Sequence, residues 1–199
     1  NVLEKAMKIF DFIIILTIIR VLVFYFLKDY TEIKSMAKSF IPKKYHSRFD
    51  QLIVAIDESL GGYVRGQLII SSVVMFLTYT VYYTIELKYA LLLASMMGIM
   101  NMIPYFGPII GTIPAAAIAM TTSWNLVIIV LITTIVVQIL EGSFLSPYVM
   151  GKNVKVHPII IIFTLLVGAE IGGIIGMIIA VPTITILKAI VTEIYVNKT

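Results

Sequence analysis

The chain has 199 residues, of which 60% are hydrophobic and 13% charged, with a mean hydropathy of +1.03. An ordinary globular domain carries roughly a quarter charged residues, so a water-soluble fold is excluded and an integral membrane protein is expected. The net charge of +4 is not gathered into one basic patch, which argues against nucleic acid as a partner, and the absence of cysteine removes any disulfide framework or thiolate metal site.

The apolar runs are solid rather than alternating: IIILTII, LLLASMM, LVIIVLITTIVV and IIIIFTLLV. Outer-membrane strands alternate in polarity, so the spanning elements must be helices that satisfy their own backbone. The chain opens on Asn1 rather than Met, directly before a hydrophobic segment, and further helices are expected to precede it. Segment A, residues 8–27, is long enough to cross, with Asp11 and Arg20 inside it. Residues 28–66 hold seven basic and five acidic side chains. After Pro42, the residues Phe49, Leu52, Ile53, Ile56 and Leu60 fall on one helix face, so an amphipathic helix is expected there, ending at Gly61-Gly62. It would lie on the membrane or pack on a neighbour.

Segment B, residues 67–85, reads as a plain spanning helix. Tyr89 to Leu140 is 52 residues without a charge, yet NMIPYFGPIIGTIP at 101–114 holds three prolines and two glycines. One crossing takes about 20 residues and two take about 40 plus a turn. Residues 89–122 fit neither, and a re-entrant hairpin broken near Pro104–Gly107 fits better. Segment D, residues 124–147, is a full crossing with Gln138 and Glu141 on one face near its end. A polar link at 148–157 follows. Residues 158–187 then repeat the broken pattern, opened by Pro158 and interrupted by Gly168, Glu170, Gly172, Gly173 and Gly176.

Gly107–Ile113 and Gly172–Ile178 match as G-x-I-I-G-x-I. Placing both lysine-bearing loops, 28–66 and 152–155, on the cytoplasmic side also requires residues 89–122 to return to the face they entered. The units 66–122 and 124–187 would then be inverted repeats, an arrangement found in secondary transporters. The expected fold class is all-α: a polytopic helical membrane protein with two re-entrant or broken hairpins in an inverted repeat. Its expected parts are a transmembrane helix at 1–29, an amphipathic cytoplasmic insert at 30–65, a helix plus first hairpin at 66–122, and a helix plus second hairpin and C-terminal helix at 123–199.

Breaking a helix in lipid frees backbone groups that cost several kcal/mol each if left unsatisfied, roughly, so a break is expected to line a cavity or lie in protein. The candidate solute or ion site is therefore built on the hairpin residues Asn101, Pro104, Gly107, Pro108, Gly111, Gly172, Gly173 and Gly176. Gln138 and Asn101 would supply neutral hydrogen bonds. Glu141 would be the proton or cation site, since an intramembrane acid is costly unless used or paired. Glu170, Pro147, Gly151 and His157 are further candidates. No H-E-x-x-H motif or Walker loop occurs and there are two histidines, so neither an enzyme nor a pump driven by ATP is expected, and no cofactor or metal.

Several motifs in order carry a family resemblance: Tyr63-Val-Arg-Gly-Gln67, Ile103-Pro-Tyr-Phe-Gly-Pro108, Gln138-Ile-Leu-Glu141, Pro147-Tyr-Val-Met-Gly151, His157-Pro158, and Gly172-Gly-Ile-Ile-Gly176 with Ala180-Val-Pro182. Over residues 20–190 the chain resembles the C-terminal part of the autoinducer-2 exporter family. The resemblance implies a multi-pass protein of the bacterial inner membrane that forms homo-oligomers. It implies export of a small polar solute such as autoinducer-2, or sodium–proton antiport. A non-transporting scaffold or channel is the reading from another class.

Overall fold

The computed structural model describes residue 14 and residues 17–150 and 157–196. The first part of segment A, with Asp11, therefore lies outside the described residues, as do Gly151 and the lysines of the polar link. Every element described is helical. The contacts divide the chain into two units, Asn1–Gln51 and Leu52–Thr199.

The first unit holds helix α1 (residues 17–28) and helix α2 (Tyr30–Ser39), then a 3-10 turn at Lys43–Tyr45 and the first residues of α3 (His46–Thr84). Pro42 separates α2 from α3, as its fixed φ and missing N–H dictate. Lys38 pairs with Asp50, and the His46 ring stands 2.9 Å from the Ile41 carbonyl, so two side-chain contacts close this corner.

Gly61-Gly62 does not end the amphipathic helix. α3 runs through both glycines for 39 residues and joins the insert to segment B. A helical glycine costs only about 1 kcal/mol relative to alanine, and neither residue is asked for a left-handed turn. The expected stripe Phe49, Leu52, Ile53, Ile56 and Leu60 is half-buried, while Val54, Asp57 and Glu58 on the other side are exposed.

In the second unit α3 is followed by α4 (Ala90–Met100), α5 (Phe106–Met120) and α6 (Trp124–Leu140), then a π-helical turn at Glu141–Leu145, α7 (Ser146–Met150) and α8 (Pro158–Val196). Among the described residues three stretches are long and apolar enough to cross a membrane: Lys43–Thr84, Trp124–Met150 and Pro158–Thr192. The chain is thus a helical membrane protein. The arms α4 and α5, at 11 and 15 residues, are about 16 and 22 Å long at 1.5 Å per residue, and neither alone spans a hydrocarbon core of about 30 Å. They pack against each other as a helical hairpin within 89–122. Leu93 and Ala94 pack against Ala115 and Ala119 in one buried layer with Tyr82, Val127 and Val130.

The third long stretch is folded back on itself. Gly172 and Gly173 leave helical geometry, and Gly173 takes φ 57°, ψ −136°, a region open essentially to glycine alone. Gly168 and Gly176, eight positions apart, lie face to face: a Cβ on Gly168 would come within 2.6 Å of the Gly176 carbonyl oxygen and 3.0 Å of the Ala180 Cβ. In a straight helix eight residues would separate them by about 12 Å. The break therefore sits at Gly172–Gly173, and the outer glycines are contact points between the two arms rather than part of the break. Gly107 does the same in the first hairpin, where a Cβ would strike the Met100 carbonyl.

Two expectations follow for thermal unfolding of the purified protein in detergent. Gly107→Ala and Gly176→Ala each force backbone apart and lose about 1–3 kcal/mol. Gly62→Ala, with nothing within 4 Å of the new methyl group, gains up to about 1 kcal/mol from helix propensity.

Candidate functional site

The buried face of α3 carries Tyr63 and Gln67 one turn apart. The turn between α4 and α5 is brought against this pair, and the Gln67 side-chain amide donates a 2.7 Å hydrogen bond to the Asn101 carbonyl. From the other side comes the end of α6 with Gln138 and Glu141, continued by the π-helical turn. π-helical turns inside longer helices recur at functional sites. The arms of α8 add Ile161 and Val181, and Val181 packs with Leu165 and with Ile103 of the first turn.

These elements enclose a cavity of about 640 Å³, within the range of small-molecule sites, about 300–1,000 Å³. Among the described residues Glu141 is the one charged side chain in its lining, and no lysine or arginine stands beside it there. The Asn101 amide faces the Glu141 carboxylate. Asn101 is 1% exposed, and its Nδ2 completes no hydrogen bond. The Tyr63 hydroxyl is likewise buried without a partner. Tyr63, Asn101 and Glu141 thus all belong to the lining of a single space.

The tip of the first hairpin is strained. Tyr105 has φ 66° and ψ −45°, and the Phe106 N–H bonds the Pro104 carbonyl two residues back at 2.8 Å. That is a γ-turn of the rare kind. A non-glycine residue held there costs about 1–3 kcal/mol and persists only where the surroundings impose it. Pro104 and Tyr105 both line the cavity.

Of the residues singled out from the sequence, the structure brings Asn101, Pro104, Pro108, Gln138, Glu141 and Pro147 together around this cavity. Gly107 and Gly111 lie behind it, against the α4 backbone and Met97, where they set the spacing of the arms. Gly172, Gly173 and Glu170 are exposed at the far tip of the second hairpin, and Gly176 is its contact with Gly168. His157 accepts a hydrogen bond at Nδ1 from the Ile159 N–H and so caps α8. Gly151 lies outside the described residues. Sequence reasoning assigned no role to Tyr63, Gln67, Tyr105 and Ser146, all of which line the cavity. A glutamine one turn after a tyrosine, opening an otherwise apolar spanning segment, was the available signal for the first two.

The family described as AI-2E family transporter matches residues 1–196. The chain is 40% identical over 181 residues to YrrI of Bacillus subtilis strain 168, covering 91% of this chain and 51% of that protein. It is 33% identical over 193 residues to YueF of the same organism, covering 95% and 52%, and 26% identical over 182 residues to PerM of Escherichia coli K12, covering 88% and 50%. The first two are named as proposed transport proteins and the third as a proposed permease. The chain spans about half the length of these relatives. No solved structure matches it significantly. From its motifs, its two hairpins and this match over nearly its whole length, the chain belongs to the AI-2E family of transporters.

Proposed function

We propose that the chain forms the solute-handling half of a secondary transporter in the bacterial plasma membrane, with the cavity at Asn101 and Glu141 as its binding site. The observation that carries this reading is a buried Tyr63 hydroxyl without a partner and a buried Asn101 amide that meets only the Glu141 carboxylate, all on residues lining one cavity. Native structures rarely leave buried polar groups unpaired, and each such group calls for an occupant or a function. The site suits a small polar solute that accepts hydrogen bonds from Asn101 and Tyr63. It suits a neutral or cationic group beside Glu141, and it disfavours an anion there.

The membrane-spanning helices leave two hairpins whose arms meet at this site. In this reading both are re-entrant, and α3 with the first hairpin and α6–α7 with the second are inverted units. Ile103 of the first turn packs against Leu165, Ala180 and Val181 of the second hairpin. Sliding of that apolar contact would open the cavity to one side or the other without unmaking either hairpin. The exported solute is a small polar molecule of the autoinducer-2 kind. Sodium–proton antiport is the second reading, favoured by Glu141 standing in the lining with no lysine or arginine there among the described residues. A carboxylate in a water-poor site is costly while bare, so a proton and a cation compete to neutralise it, and that competition is a coupling device.

Two results are expected. Asn101→Leu removes a donor that faces only the Glu141 carboxylate and Tyr63→Phe one that has no partner, so thermal stability changes little, while transport into proteoliposomes falls about tenfold, the worth of one hydrogen bond to solute. Loss of stability and transport together would mark both groups as structural. Glu141→Gln leaves the protein folded and flattens the pH dependence of transport, whereas Glu170→Gln, exposed at the second hairpin tip, leaves the profile as it is. An unchanged pH profile in Glu141→Gln would remove the carboxylate from the coupling.

A further inference from the structure

The first unit carries an exposed surface that transport does not use. Ile33, Met36 and Phe40 are 42%, 63% and 84% exposed and recur at i, i+3 and i+7, so they form one apolar ridge along α2 and its C-terminal turn. Phe40 is among the most exposed large apolar side chains described. Directly after it the chain turns at Pro42 and presents Lys43, Lys44 and Arg48 to the outside. Among the described residues no carboxylate pairs with any of these three. Lys38, by contrast, is taken up by Asp50. Lys44 lies over the Tyr45 ring at 5.8 Å.

An apolar ridge ending in a cluster of unpaired cations is the chemistry of an element lying in the membrane interface. Its apolar residues enter the acyl boundary and its cations meet anionic headgroups. α2 follows α1 after one residue, and Phe24, Phe26 and Leu27 at the end of α1 are 62%, 60% and 74% exposed. We propose that the corner formed by Met36, Phe40, Lys43, Lys44 and Arg48 is a binding surface for anionic phospholipid headgroups, which hold the insert against the bilayer. This surface is independent of the cavity and of what the protein carries.

The test uses the full-length protein in a cysteine-free background, with one cysteine at Ser39 carrying a polarity-sensitive fluorophore. It is placed in nanodiscs of phosphatidylcholine alone or of phosphatidylcholine with phosphatidylglycerol. In the anionic discs the emission shifts to the blue and is quenched by lipids bearing a nitroxide near the headgroup. About 1 M salt, which shortens the Debye length to about 3 Å, reverses both effects. Lys43→Gln, Lys44→Gln and Arg48→Gln each lower the docked-to-undocked ratio about fivefold, and Phe40→Ser abolishes the nitroxide quenching. Equal emission in the two disc types would overturn the proposal. A blue-shifted signal that ignores both salt and lipid charge would also overturn it, because Phe40 would then be covered by protein.

Discussion

A chain that turns inside an apolar bundle must find partners for the backbone groups the turn releases, and in this protein the Gln67 side chain meets that need. Its 2.7 Å bond to the Asn101 carbonyl satisfies the end of α4 and at once fixes where the first hairpin tip sits relative to α3. A carbonyl left bare in such a place costs about 1–3 kcal/mol. Because the bond is made to the backbone of Asn101, the side chain of the same residue is free to face Glu141. One interaction thus holds the hairpin in register and presents a donor to the cavity. The strained γ-turn at Tyr105 is tolerated for the same reason: the tip is clamped on one side by Gln67 and packed on the other against the second hairpin.

The two hairpins reach close packing by the same device with different chemistry at the tip. In each, glycine removes the side chain where backbone meets backbone, as Gly107 does against Met100 and Gly176 against Gly168. Small residues serve this purpose in membrane proteins, where lipid offers no hydrophobic drive between helices and contact distance decides association. The first tip is stiffened by Pro104, and its Asn101 and Ile103 are buried against the bundle while Tyr105 is exposed. The second is two glycines, exposed and free of contacts around Gly172 and Gly173. A rigid tip suits a binding surface. A glycine tip suits an element that shifts.

The hydroxyls of the bundle show the same bookkeeping. Ten serine and threonine side chains, from Ser72 to Thr185, return their proton to the carbonyl four residues back, the usual way to hide a hydroxyl in an apolar helix. Thr112 and Thr134 also meet each other across α5 and α6 at 2.8 Å. Ser71 and Thr78, on the buried face of α3, do neither. Polar groups without partners therefore extend along α3 from the cavity into the bundle.

Composition and spacing alone determined that the chain lives in a membrane and that it is helical. They also located a break in each of the stretches 89–122 and 158–187. These follow from lengths and periodicities that any packing must obey, and the Gln138–Glu141 face was legible because helical spacing puts both residues on one side. What tertiary structure decided was which broken segment makes the site. The matching G-x-I-I-G-x-I stretches looked equivalent in sequence, yet Asn101 and Ile103 of the first hairpin's turn are buried at the cavity and the second hairpin's tip is exposed. Gln67, thirty-four residues before Asn101, clamps the first tip, and among the described residues no side-chain hydrogen bond reaches the second. Gly61-Gly62 taught the same lesson in reverse: a local breaker loses to a continuous helix when no turn is required there. Side chains such as Tyr63 and Tyr105 acquire a role only when distant segments enclose a common space, and that convergence is a property of the fold, not of any window of the sequence.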